Sequence, residues 1–325
     1  MPNKLKRLLP WLLSLGIVAY LFASVDLAAV RDAMATADLT ALAAWLSFFA
    51  LVAFVADSAT LMVLFTRLLD RLPYRDVLAV KGVSYFLNAL NYSAGAGAVA
   101  WFAHRKTKRP FLAALSALLW LNFIDVVALL VLLGFGATVG HELVPAQIAD
   151  RLGWVLLGGW VITIGALVYW LAGVNFLVLG RLREWRIFHA FRHARLVDYA
   201  TMVGLRTLFI GLYVLMAYTT LPTFDIHVSI GALLVYVPLL TFVQIVPASV
   251  SGLGAIQVVM IALYSPHALP SVANPTAQVL AYSTMAGPLT TVIRLFIGYA
   301  FMANVARDLV PPDEATLAAA RDSES

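Results

Sequence analysis

One segment constrains this chain more than any other: residues 76–109, DVLAVKGVSYFLNALNYSAGAGAVAWFAHRKTKR. It is apolar enough to enter a bilayer but badly made for crossing one as a plain helix. Lys81 sits a turn inside it, Asn88 and Asn91 lie near its middle, and Gly95 and Gly97 follow at once. A lysine at bilayer centre costs roughly 2.5–3.5 kcal/mol on insertion scales. Irregular backbone at that depth survives only inside protein or along a wet cavity. Arg67, Arg71 and Arg75 precede the segment, and His104, Arg105, Lys106, Lys108 and Arg109 follow it. Positive residues gather on the cytoplasmic side, so both ends are expected there. This predicts a re-entrant helical hairpin over about residues 77–104 with its tip near 88–97. The competing expectation is an ordinary span with polar packing residues.

The rest of the chain supplies the bundle that such a hairpin needs. Of 325 residues, 62% are hydrophobic and 12% charged, about half the charge of a soluble domain. The predicted fold is all-α: a polytopic helical membrane protein of about eight transmembrane helices, the hairpin, and a second helix broken by glycine. Crossings are expected at residues 8–24, 39–66, 111–138, 154–179, 199–221, 228–246, in a short run ending at 264, and at 279–302. The loop at 26–38, with three aspartates against Arg31, suits the outside. A single transmembrane domain over 1–306 and a polar tail over 307–325 follow, with both termini cytoplasmic. The stretch RLREWRIFHAFRHARLVD carries five arginines against two acids, with Leu182, Trp185, Phe188 and Phe191 at every third position. It predicts an interfacial basic helix over about 181–197 or, equally, a topology-setting cytoplasmic loop.

The second break is PASVSGLGAIQ, where Pro247, Gly252 and Gly254 interrupt a regular helix, and this region either spans or re-enters. Between the breaks the chain places polar residues at membrane depth: Asp57, Lys81, Asn88, Asn91, Asn122, Asp125, Arg206, Gln244, Gln257 and Arg294. Intramembrane ionisable groups face the bundle interior and mark pathways or binding sites, or else pair to hold helices together. Lys81 and Arg294 are candidate partners for Asp57 or Asp125. His189 and His193 share a helix face at i, i+4, but lack a nearby third ligand for a metal. With no cysteine, metalloprotease motif, phosphate loop or nucleophile elbow, the chain is not expected to be an enzyme or to need a cofactor. The formal charge of +5 sits at membrane flanks, so membrane lipid with an anionic headgroup is the expected partner, not nucleic acid.

At its two irregular stretches the sequence resembles the lysylphosphatidylglycerol synthase transmembrane-domain family, a flippase-like group. The later signature of that family is close to P-x-S-x-G-G-L-G-x-R-E. Here it stands as Pro247, Ser249, Ser251, Gly252, Leu253, Gly254, Ile256 and Gln257. The earlier one survives as Asn88 with Gly95 and Gly97, and the following helix keeps Asp125. Tyr92 stands near a usual proline, Asn122 replaces an arginine, and Ile256-Gln257 replaces Arg-Glu.

The resemblance implies a stand-alone lipid translocase of a prokaryotic, bacterial inner, membrane, without the soluble synthase domain of the namesake. The substrate-binding set expected from it and from the polar inventory is Lys81, Asn88, Asn91, Gly95, Gly97, Arg105, Asn122, Asp125, Pro247, Ser249, Ser251, Gly252, Gly254, Gln257 and Arg294. These residues would hold an anionic or polyprenyl-type amphiphile by its head. Two other readings stay open. One is a non-transporting partner that presents lipid to a synthase or glycosyltransferase; the other is an ion-coupled small-solute transporter. A lipid-modifying enzyme and a second copy of the chain are further candidate partners.

Overall fold

A computed structural model describes residues 27–90, 92–139, 146–172, 184–245 and 255–309. The expected first crossing (8–24), the tip residue Asn91, the break at 247–254 and the tail beyond 309 lie outside the described residues. The chain is helical throughout what is described, as backbone in hydrocarbon requires: each N–H and C=O must be satisfied within its own segment. A short helix α1 (Leu27–Thr36) precedes α2 (Leu39–Leu68). Then come α3 (Tyr74–Leu90), α4 (Tyr92–Thr107), α5 (Phe111–Val139) and α6 (Ala146–Leu171). A 3₁₀ turn (Arg186–Phe188) leads into the five-residue α7 (His189–His193), followed by α8 (Leu196–Thr220). The chain closes with α9 (Ile230–Ile245), α10 (Ala255–Tyr264) and α11 (Pro275–Leu309). Five of these are long and apolar enough to cross a membrane: α2, α5, α6, α8 and α11. This is an integral membrane protein.

The chain divides into two compact units. The first comprises Met1–Ala53, Phe123–Val174 and Tyr199–Val292. In it the expected external loop at 26–38 is largely the helix α1, with Val30 and Ala33 buried. Asp38 caps α2 by accepting from the Ala41 N–H at 2.8 Å, which satisfies one of the orphan donors of a helix start. On α6, Trp154 is 75% and Ile162 73% exposed, so this helix shows an apolar surface suited to lipid.

The same unit contains a second helical hairpin, where the sequence counts two crossings but leaves re-entry at the Gly252 region open. At about 1.5 Å per residue, the 16-residue α9 and 10-residue α10 span roughly 24 and 15 Å, short of a 30 Å core. Their feet are tied together. The His227 N–H donates to the His267 carbonyl and the Leu269 N–H to the Asp225 carbonyl, each at 2.9 Å. Tyr236 Oη lies 3.2 Å from His267 Nε2. The pair therefore leaves and regains one level, and Gln278 Nε2 anchors that level to α11 by donating to the Phe224 carbonyl at 2.9 Å.

Pro238 explains a close contact within the first unit. It has no N–H to offer Leu234, four residues back. Against that carbonyl lies Gly136 of α5, where a Cβ would come within 2.7 Å of the Leu234 oxygen. The proline frees the acceptor, and the glycine lets α5 approach it.

The second unit comprises Phe54–Asn122, Asn175–Asp198 and Ile293–Ser325. Its centre is the hairpin of α3 and α4. Antiparallel pairing is fixed at the feet, where Lys106 Nζ meets Asp76 Oδ2 at 3.6 Å, and near the turn, where Gly95 lies against Ser84 and Asn88. The helices span about 25 and 24 Å at 1.5 Å per residue, again less than a bilayer core. Gly95 and Gly97 do not break the chain as the sequence suggests; both lie inside the continuous α4. Tyr74, Lys81 and Tyr85, spread over three turns of α3, all reach the single turn 54–57 of α2, so α3 crosses α2 steeply.

The basic stretch after residue 183 also differs from expectation. In place of one helix over 181–197, the described part is a 3₁₀ turn, the short α7 and the start of α8. Aromatic spacing of three residues suits a 3₁₀ turn, whose side chains eclipse every third position. The Ala190 N–H donates to Ser116 Oγ at 2.9 Å, which docks this segment on α5. Asp198 then reaches back to the Arg195 N–H at 2.9 Å, one half of a capping box that starts α8.

Candidate functional site

On α3, Lys81, Tyr85 and Asn88 stand at i, i+4 and i+7, which puts them on one helix face. The steep crossing brings that face to Asp57 of α2, and Lys81 Nζ lies 2.6 Å from its Oδ2. The Lys81 and Asp57 side chains are 18% and 10% exposed, so the pair is largely withdrawn from solvent. The Tyr85 ring sits beside two cations: its centroid is 5.8 Å from Lys81 Nζ and 5.6 Å from Arg294 Cζ. At such distances the ring's negative face attracts positive charge. Phe54 closes the other side, edge-on to Tyr85 at 5.5 Å.

Arg294 is placed by glycine. A Cβ on Gly298 would fall 2.8 Å from the Phe86 backbone nitrogen and 3.0 Å from the Gly82 carbonyl oxygen. A Cβ on Gly82 would in turn fall 2.6 Å from the ring of Phe301. Small residues let helix backbones approach closely in membranes, and here they seat this part of α11 against α3 one turn beyond Arg294. Asn88 holds the far end of the polar face. Its Oδ1 is buried with no hydrogen-bond partner and lies over Gly95 of α4. A buried acceptor left empty costs about 1–3 kcal/mol, so the position invites a donor.

Of the expected binding residues, the structure gathers Lys81, Asn88, Gly95 and Arg294 into this one cluster. Gly97 faces open space and Arg105 is exposed near the foot of α4. Asn122 is exposed on α5. Asp125 pairs with Arg206 in the first unit, whose guanidinium stacks 4.2 Å from the Phe209 ring. Gln257 is half-buried on α10, in the first unit, and Gln244 is exposed near the end of α9. Asn91, Pro247, Ser249, Ser251, Gly252 and Gly254 lie outside the described residues. Sequence reasoning missed Tyr85, Gly82 and Gly298. Tyr85 had a signal, its place one turn after an intramembrane lysine; the two glycines meet across more than two hundred residues and had none.

The family model for the lysylphosphatidylglycerol synthase TM region matches residues 7–298. The chain belongs to that family. No curated protein matches it. In this member of the lysylphosphatidylglycerol synthase transmembrane family, the matched region includes the whole α3–α4 hairpin, Asp57 and Arg294. What the cluster offers chemically is the Lys81–Asp57 ion pair, the Arg294 guanidinium beside an aromatic face, and an amide acceptor without a donor. Among the described residues no group of three metal-ligating side chains occurs.

The basic segment carries a separate expectation. His189 and His193 stack with ring centroids 4.1 Å apart. Burial, reinforced by the charges of His193, Arg192 and Arg109, holds the His189 imidazole below its ordinary range. Folding thus favours the neutral ring. As pH falls through about 6.5 the unfolded chain takes up the proton first, and stability drains away until the folded ring titrates too. Melting temperature followed from about pH 7 to 5 is expected to fall less in His189→Gln than in the parent protein. Parallel profiles would mean that the ring titrates normally.

Proposed function

We propose that this protein moves an anionic amphiphile between the leaflets of a bacterial cytoplasmic membrane. The observation that carries the reading is the gathering of Lys81, Arg294 and the Tyr85 ring beside an empty buried acceptor, Asn88 Oδ1, on one face of α3. A phosphate-bearing head in hydrocarbon loses its water and needs replacement partners. Lys81 and Arg294 supply charge, and Asn88 accepts from a head-group hydroxyl or amine. The acyl chains stay in lipid, so only the head needs shelter. Family membership supports a lipid substrate, and the cluster argues for its charge. With no nucleotide motif in the chain, net uphill movement would draw on an ion gradient.

Reconstitution tests the reading. Liposomes containing the protein and labelled phosphatidylglycerol are treated with a reductant that quenches only the outer leaflet. Exchange is expected to outpace that of empty liposomes. Arg294→Gln and Asn88→Leu are each expected to slow it about tenfold, as losing roughly 1.4 kcal/mol of head-group interaction would. Exchange no faster than in empty liposomes, for both phosphatidylglycerol and a polyprenyl phosphate, would end the proposal.

A further inference from the structure

The second unit contains a cavity of about 630 Å³ whose polar lining is basic: Arg67, Arg109, Arg186, His189 and His193. It is built where the loop after α2, the turn between α4 and α5, and the docked α7 converge. The expected translocation residues play no part in it. Its remaining wall is apolar, from Leu68, Leu69 and Ala113.

The charges are unequally committed. Arg67 Nη1 is held by Asp198 Oδ1 at 2.8 Å. Arg109 pairs with Asp70 only at 3.4 Å, with both side chains 56% exposed, a pairing worth little. Arg186 is exposed. His189 Nδ1 is buried and has no hydrogen-bond partner. His193 Nδ1 is bonded to the His189 carbonyl at 2.8 Å, so its ring reaches a ligand through Nε2. Two weakly held guanidinium groups beside an idle imidazole nitrogen form a site for an anion with several acceptor oxygens.

We propose that this cavity binds a phosphate monoester group. Arg109 and Arg186 take its oxygens by charge-assisted hydrogen bonds, and His189 donates from Nδ1 in that tautomer. The apolar part of the lining, Leu68, Leu69, Pro110 and Ala113, suits the first carbons of an acyl chain, which favours a lipid source over free phosphate. The site stands whether or not the protein transports anything, because its residues are separate from the Lys81–Asn88–Arg294 cluster.

Titration calorimetry of the full chain in maltoside micelles decides it, with three probes: dihexanoyl phosphatidic acid, inorganic phosphate and dihexanoyl phosphatidylcholine. Saturable binding of phosphatidic acid is expected, weakened about tenfold by Arg109→Gln and again by Arg186→Gln. Both arginines are exposed at the surface, so melting temperatures should hold. Equal binding of inorganic phosphate would support the site and name free phosphate as its ligand. Saturation by neither phosphate probe would overturn the proposal. So would phosphatidylcholine binding as tightly as phosphatidic acid, or both variants binding like the parent.

Discussion

Lys81→Ala is expected to destabilise the protein by about 3–5 kcal/mol, the usual cost of stranding one member of a buried ion pair. The lysine lies 2.6 Å from Asp57 with little solvent around either group. Removing it leaves a carboxylate in an apolar setting with a large desolvation penalty and less to offset it. The double change of Lys81→Met with Asp57→Leu should recover most of that loss, because an apolar pair of similar volume is often as stable as the ions it replaces. Unfolding in mixed micelles, followed by tryptophan fluorescence, measures both. The double variant should nevertheless exchange lipid poorly, since one of the two cations is gone. A stable double variant with full exchange would place the function elsewhere, while an unchanged melting temperature for Lys81→Ala would show that the pair is not buried.

Gly95→Ala carries the second large effect. A Cβ there collides with Asn88 Oδ1 and falls 2.9 Å from the Ser84 carbonyl oxygen. Asn88 can rotate away, but Ser84 can yield only by moving the helix. Overpacking of this kind costs about 1–3 kcal/mol, and the hairpin should open by a few tenths of an ångström. Adding Asn88→Ala to Gly95→Ala should restore part of the loss, leaving the share due to the backbone. Gly97→Ala is the control. It has nothing within 4 Å and should be neutral or, through better helix propensity, stabilising by up to about 1 kcal/mol. Equal effects at both glycines would mean that the two helices do not meet at Gly95.

The sequence made the architecture legible where physics leaves a local trace. Long apolar runs mark α2, α5, α6, α8 and α11 because hydrocarbon tolerates little else. Lys81 and Asn88 inside an apolar segment, with arginines at both ends, point to paired helices. The helix boundary falls within the expected 88–97, but the glycines' role was not legible: a glycine that permits close approach and one that ends a helix look alike in sequence, and only the position of α3 separates the two uses at Gly95. The α9–α10 stretch was left between two crossings and a re-entrant pair because the bonds from His227 to His267 and Leu269 to Asp225 join residues some forty positions apart. Asp125 was left with several candidate partners, and its actual one, Arg206, lay on a helix whose register no local pattern sets.

The interlocked glycines Gly82 and Gly298 have a consequence for mechanics. With Gly298 set against the α3 backbone and the Phe301 ring seated on Gly82, there is little room to slide, so this stretch of α11 and α3 form one stiff piece. Arg294 is thereby carried with the hairpin: any tilt of α3 that shifts Lys81 and Tyr85 takes the guanidinium along, and the two positive charges keep their spacing.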